Sequence, residues 1–217
     1  MKLYGYFRSS AAFRVRIALN LKGIAPGETE VVNLQAGEQF SEAFRAVNPQ
    51  GRVPALVLDD GTAMIQSMAI MEYLEETHPE PPLLPPDAKG RARVRGLANV
   101  VACDIHPLNN LAVLNYLTAE MKVSEGDKLR WYRHWVGQGL AAFDALLSGS
   151  GETGRFCHGD APGLADVCLV PQVFNAKRFD CALGGYATLM RVFEACMALD
   201  AFDKAQPAKQ PEAATIG

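Results

Sequence analysis

No Cys-x-x-Cys pair occurs anywhere in the 217 residues. That absence leaves dithiol redox chemistry and cysteine-rich zinc sites without support. The five cysteines, Cys103, Cys157, Cys168, Cys181 and Cys196, are odd in number and widely spaced. Such a set fits a reducing compartment better than a disulfide framework, with most of the thiols serving as small core residues. His78, His134 and His158 show no metal-ligand spacing, so no metal is expected. Basic charge is not in surplus either. A formal net charge of −3 argues against a nucleic-acid partner. No run of 18 uncharged apolar residues is present, so no membrane span is expected. Arg8 interrupts the N-terminus before an apolar leader could form, so no signal peptide is expected and the cytoplasm is the expected location.

What is present is a composition that can bury a core: 49% hydrophobic and 21% charged. The first eighty residues alternate between two periods. Lys2 to Phe7 reads as a strand. Phe13, Ile17 and Leu21 then recur at helical spacing, with Arg14 and Lys22 on another face and Gly23 as the C-terminal stop. Glu30 to Leu34 is strand-like, and Glu38 to Val47 is a helix that must end before Asn48-Pro49. Val53 to Leu58 and Thr62 to Ile65 form a hairpin around Asp59-Asp60-Gly61, and Ser67 opens an amphipathic helix that stops before Pro79. This order, βαβ followed by ββα, predicts a mixed sheet with helices on its faces.

Five prolines between Pro79 and Pro86 mark a linker. Beyond it the strand signal vanishes. Helical runs cover about Lys89 to Ile105, Leu108 to Met121, Lys128 to Leu147, Leu164 to Arg178 and Tyr186 to Leu199. The expected domains are 1–80, α/β, and 88–217, all-helical, with a frayed Pro/Ala-rich tail from Gln206. The basic run Lys89, Arg91, Arg93 and Arg95 reads as a solvated helix face.

Two serines, Ser9 and Ser10, stand at the mouth of the first helix, beside Arg8. Either can be a helix cap. A helix start also favours anions, and a serine hydroxyl there can donate to one. Gln66-Ser67 precede the third helix in the same way. In this topology both helices can open toward one end of the sheet, which would suit a ligand carrying a carboxylate and an ionisable thiol. Val53-Pro54 is a candidate cis bond that would turn the Val53 backbone outward, toward an extended peptide.

The stretches "SSAAFRVRIAL", "NPQGRVPALVLDDG", "IQSMAIMEYLEETHP" and "CDIHPLNNLAVLNYL" together resemble the zeta class of glutathione transferases, in particular its maleylacetoacetate and maleylpyruvate isomerases. "LVPQVFNAKRF" and "LDAF" extend the resemblance to about Pro211. It implies a thioredoxin-like N-terminal domain that binds glutathione, followed by a helical-bundle substrate domain, and a homodimer. It implies that Ser9 and Ser10 hold the glutathione thiolate, Gln66 and Ser67 the γ-glutamyl end, the Val53 backbone the cysteinyl unit and Gln39 the glycyl end. His106, Asn109 and Asn110 would come over the thiol. Arg8 and Arg178 would meet the carboxylates of a maleyl keto-diacid. The thiolate would add to the cis double bond, allow rotation and leave, giving the fumaryl isomer.

Two positions depart from the family pattern. Ala11 stands where the family usually has cysteine, which removes a thiol needed for mixed-disulfide chemistry but not for isomerisation. Gly163 replaces the usual Ser or Thr three residues before Asp166. Leu111 occupies a position where some maleylpyruvate isomerases carry arginine, which favours maleylacetoacetate as substrate. A zeta-like transferase acting on α-halo acids or other electrophiles, and a glutathione-binding regulatory protein without turnover, are the alternative readings.

Overall fold

The computed structural model describes residues 1–216. The chain divides into two compact units, Met1–Leu83 together with the segment from Leu199 onward, and Leu84–Ala198. The tail thus joins the N-terminal unit, where the sequence suggested a frayed end of the helical one. Among the described residues no helix is long and apolar enough to cross a membrane.

In the first unit, β1 (Lys2–Gly5), α1 (Ser10–Leu21) and β2 (Glu28–Val31) are followed by a 3₁₀ turn (Glu38–Phe40) and α2 (Glu42–Val47). Then come β3 (Ala55–Val57), β4 (Ala63–Ile65) and α3 (Ser67–Thr77). The sheet order is β2-β1-β3-β4, with β1 parallel to β2 and antiparallel to β3, and β3 antiparallel to β4. This is the expected mixed sheet. β1 is shorter than the predicted strand because the Tyr6 carbonyl accepts the Ser9 amide (2.9 Å), which turns the chain after Gly5. The β1–β2 register accordingly ends at Gly5 and Val31.

The helix predicted over Glu38–Val47 is broken at Ser41. Its extended backbone (φ −61°, ψ 149°) and its side chain, which accepts from the Phe44 amide at 3.2 Å, make it a cap rather than an interior residue. Gly23 adopts φ +65° after α1, the left-handed stop its position suggested. The apolar faces of α1 and α3 bury Phe13, Ile17, Ile70, Met71 and Leu74.

Arg14 and Lys22 do not lie on a solvated face. Arg14 is 2% exposed and donates through Nη1 to Ser67 Oγ (3.2 Å). Lys22 is buried and donates through Nζ to Glu75 Oε2 (2.8 Å) and to the His78 (2.6 Å) and Pro81 (3.1 Å) carbonyls. The tail is ordered as α10 (Asp200–Asp203), a 3₁₀ turn (Pro207–Lys209) and α11 (Ala213–Ile216). Phe202, Ala205 and Pro207 are buried, and Ala213 and Ile216 pack on a cluster of Tyr6, Phe7, Val32, Phe44 and Val53.

The second unit is helical: α4 (Ala88–Asn99), a π turn (Val100–Ile105), α5 (His106–Asn109), α6 (Leu111–Ala119), α7 (Glu125–Ser148), α8 (Leu164–Arg178) and α9 (Ala187–Met197). The predicted helix through Ile105 changes to π geometry at Val100. Pro107, in the first turn of α5, has no amide to continue α-type bonding. α8 runs through the core, with every residue from Leu164 to Val173 buried.

Asp166 is buried and accepts the amides of Gly163 and Cys157 (2.9 Å each), so it serves the α8 start without help from a side chain at position 163. Burial holds its carboxyl above the usual range, against those hydrogen bonds. Cys157, Cys168 and Cys196 are core residues as expected, and burial raises the thiol pKa of Cys157 and Cys196. Arg93 departs from the solvated-face expectation: it is half-buried and donates to the Cys157 carbonyl (2.7 Å) and Thr153 Oγ1 (2.8 Å).

Candidate active site

α1 and α3 are joined twice, near their starts by Arg14 and Ser67 and at their ends by Lys22 and Glu75. Both pairs are separated by 53 residues in the chain. Equal offsets at the two ends mean that the helices run side by side in the same direction. Their N-termini therefore open toward the same end of the first unit, and their partial positive charges add there.

Ser9 is the cap of α1. It has an extended backbone, and its Oγ accepts the Ala12 amide at 3.2 Å. This hydrogen bond uses a lone pair and leaves the hydroxyl proton to be donated elsewhere. Ser10 begins the helix and is buried. Arg8 is half-buried, with its guanidinium 4.8 Å from the centroid of the Phe7 ring.

At the start of α3, Gln66 has φ +71°, a conformation that non-glycine residues rarely adopt. A backbone held in this region costs roughly 1–3 kcal/mol, and such strain gathers at ligand clamps. Gln66 does not cap the helix with its side chain. It donates through Nε2 to Gln50 Oε1 (2.8 Å). Ser67 is buried against Arg14.

Val53 and Pro54 are joined by a cis bond, as the sequence suggested. Among the described residues neither the amide nor the carbonyl of Val53 has a hydrogen-bond partner. Its side chain packs in the cluster with Phe7, two residues before Ser9. Asn48 shapes the loop before it, accepting from the Gln50 amide (3.0 Å) and donating to the Arg52 carbonyl (2.6 Å). Gly51 in that loop has φ +62°, and a Cβ there would lie 2.9 Å from the Gln39 carbonyl. The absent side chain lets the Gln39 turn close onto the loop. Gln39 is 8% exposed, and its Oε1 has no partner among the described residues.

Ser9, Ser10, Gln39, Val53, Gln66 and Ser67 thus fall into one linked set in the first unit. It offers what an extended peptide with an acidic end requires: unpaired backbone at Val53, just before β3, an unsatisfied amide at Gln39, and two helix starts.

In the second unit, His106 opens α5 and Asn109 is buried, with neither amide atom partnered among the described residues. Asn110 is occupied locally. It accepts the Val113 amide (3.1 Å) as the cap of α6 and donates to the Pro107 carbonyl (2.7 Å). Arg178 is exposed in the last turn of α8, its guanidinium 5.4 Å from the Phe179 ring centroid.

The contribution of Arg14 was missed in the sequence. The available signal was its spacing: Ile17, Ala18 and Leu21 lie three, four and seven residues beyond it, so it shares the apolar face of α1.

The family model for the glutathione S-transferase N-terminal domain matches residues 8–77. The chain is 50% identical over 214 residues to a maleylacetoacetate isomerase of Pseudomonas aeruginosa, covering 98% of each chain. Among solved structures it is similar to a holo maleylpyruvate isomerase described as a bacterial glutathione transferase of the zeta class. The TM-score there is 0.94 at 48% identity, covering 98% of this chain and 99% of that one. It is equally similar (TM-score 0.94, 46% identity, 97% and 98% covered) to a maleylacetoacetate isomerase of Methylobacterium extorquens AM1 with bound malonate and glutathione.

Proposed function

Because the chain belongs to the zeta class of glutathione transferases, the family of the maleylacetoacetate and maleylpyruvate isomerases, we infer that it catalyses the glutathione-dependent cis–trans isomerisation of a maleyl keto-diacid to its fumaryl isomer. The observation that carries this reading is the open backbone of Val53 beside two parallel helix starts, one capped by Ser9 and the other held in strain at Gln66. Bound glutathione supplies a thiolate that adds reversibly to the cis double bond.

The residues of the chain hold and orient. The Ser9 hydroxyl and the start of α1 favour the ionised thiol, since a donor and a positive dipole end stabilise the charged form. Ser10 supports that helix start. Ser67, with the Arg14 guanidinium behind it, and Gln66 receive the γ-glutamyl carboxylate. The Val53 amide and carbonyl pair with the cysteinyl unit, and the unsatisfied Gln39 amide takes the glycyl end. His106 and Asn109 are assigned to the thiol side of the ligand. Asn110 is given the task of shaping that turn, because its amide is already used as a cap. Arg8 and Arg178 are assigned to the substrate carboxylates, which guanidinium groups pair through two parallel N–H bonds.

Ala11 removes the thiol that mixed-disulfide chemistry would need, which favours isomerisation over reductive transferase chemistry. Leu111 is apolar and exposed and favours maleylacetoacetate as the substrate. The five free thiols suit a reducing cytoplasm, and a homodimer is the proposed assembly.

The test is an absorbance assay of both maleyl substrates with and without glutathione. The expected result is turnover that requires glutathione and leaves its concentration unchanged. Consumption of glutathione into a stable thioether would replace this reading with the transferase one. Gln66→Gly gives a second check. Relief of the positive φ should stabilise the fold by about 1 kcal/mol in denaturant unfolding. Loss of the amide side chain should raise the KM for glutathione roughly fivefold, the effect of one hydrogen bond of about 1 kcal/mol.

A further inference from the structure

One guanidinium in the first unit holds both the turn that carries Ser9 and the C-terminal segment. Arg16 donates through Nη2 to the Phe7 carbonyl (3.1 Å), through Nη1 to the Tyr6 carbonyl (3.5 Å), and through Nε to the Ala205 carbonyl (3.1 Å). The Tyr6 carbonyl is also the acceptor for the Ser9 amide. The contact with Arg16 therefore falls on the same peptide group that sets where Ser9 begins α1. One turn further along the helix, Asn20 Nδ2 donates to the Ala201 carbonyl (2.9 Å). Two side chains four residues apart on α1 thus grip two carbonyls four residues apart in the tail.

A cleft of about 960 Å³ lies between this segment, α1 and the β1–β2 edge, and Arg16, Asn20, Ala201 and Ala205 line it. The two side-chain hydrogen bonds span that opening, and the buried Phe202 and Ala205 pack the segment beside it. Beyond it, Ala213 and Ile216 of α11 rest on the cluster that contains Tyr6, Phe7 and Val53. Burial draws the Arg16 guanidinium down to about 10, with the Glu212 carboxylate opposing. The group stays cationic at neutral pH in desolvated surroundings, where its hydrogen bonds are strengthened.

We propose that Arg16 is a positioning residue for the thiolate site: its fork fixes the Tyr6–Phe7 carbonyls so that the Ser9 hydroxyl meets the ligand sulfur, and the C-terminal segment locks that fork through Ala205. The proposal rests on the reading of Ser9 as the thiolate donor. Lysine at position 16 would keep the charge but could not span three carbonyls in a fixed plane.

The experiment compares wild type, Arg16→Lys, Arg16→Gln, Asn20→Ala and Ser9→Ala. Three readouts are taken: ultraviolet titration of bound glutathione, amide hydrogen exchange of the ligand-free protein, and the pH profile of kcat/KM. In both Arg16 variants the bound thiol should titrate roughly half to one unit higher, a three- to tenfold loss of thiolate at neutral pH. The kcat/KM should fall by the same factor and recover in alkaline solution, while the KM for glutathione moves less than twofold. Exchange at the Ser9 and Ala12 amides should quicken without ligand. Asn20→Ala, which releases Ala201 and leaves Arg16 in place, should shift the same quantities less, and it remains informative if Arg16→Gln does not fold. An unchanged thiol titration in Arg16→Lys and Asn20→Ala, or a fall in rate that is uniform across pH, overturns the role of Arg16. If Ser9→Ala also leaves the titration unchanged, the reading of Ser9 fails first. If Ser9→Ala shifts it and the Arg16 variants do not, only the positioning role is lost.

Discussion

Ser9→Ala should lower kcat/KM at neutral pH by roughly ten- to a hundredfold. A hydrogen bond to a charged group contributes about 1.5–3 kcal/mol, and each 1.4 kcal/mol is tenfold in rate. The same substitution removes a helix cap, since Ser9 Oγ accepts the Ala12 amide, and so should also cost about 1 kcal/mol of stability. A fall in activity with alanine is therefore ambiguous by itself. Ser9→Gly separates the two roles. Glycine is a tolerable cap, within a few tenths of a kcal/mol of serine, yet it has no hydroxyl to donate. The glycine variant should unfold almost as the wild type does and lose as much activity as the alanine variant. If it kept its activity, the donor would be Ser10 or the backbone amides of α1, and a parallel Ser10→Ala measurement would distinguish these. The cap and the donor are compatible in one serine because its oxygen accepts from the helix while its proton remains available to the ligand.

The arrangement of the first unit was legible because its elements follow simple periods. Leu3, Leu56, Ile17 and Leu74 are buried where the two- and 3.6-residue patterns put them. The cis Val53-Pro54 bond and the Ser9 cap likewise announce themselves through residue type. Other features leave no such mark. Nothing in a glutamine suggests a positive φ, so the strain at Gln66 is visible only once α3 and β4 have fixed the chain on either side. Arg14 and Lys22 read only as a second face of the helix, because composition cannot show a partner 53 residues away. The C-terminal segment is rich in Pro, Ala and polar residues and reads as a loose end. Its anchoring depends on the backbone carbonyls of Ala201 and Ala205, groups that every residue type carries. The resemblance assigns Asn110 to the ligand, yet its amide is spent on capping α6. The resemblance conveyed where the family places a functional side chain, and the geometry adds what that side chain is already doing.

The second large effect lies at the far end of the same pair of helices. Lys22→Met should destabilise the protein by about 3–5 kcal/mol, the range for leaving one member of a buried ion pair uncompensated. The Lys22 side chain is 0% exposed and that of Glu75 7%. The ammonium spends its three protons on Glu75 Oε2 and the His78 and Pro81 carbonyls, and the same Glu75 oxygen accepts the Leu83 amide at 2.9 Å. Methionine fits the stem but leaves the carboxylate and two carbonyls short of a donor. Lys22→Met/Glu75→Leu should recover only part of the loss. It removes the unpaired charge, whereas the His78 and Pro81 carbonyls and the Leu83 amide stay unsatisfied at about 1–3 kcal/mol for each group that water cannot reach. A double-mutant cycle in denaturant unfolding measures both quantities. A Lys22→Met value within about 0.5 kcal/mol of wild type, the usual span for surface changes, would mean that the ammonium is hydrated and the pair contributes little. The consequence for function follows from the parallel alignment of α1 and α3. With the lower clamp gone, Arg14–Ser67 still joins them near their N-terminal ends. Loosening should therefore appear as a raised KM for glutathione at the γ-glutamyl end before any change in the ionisation of its thiol.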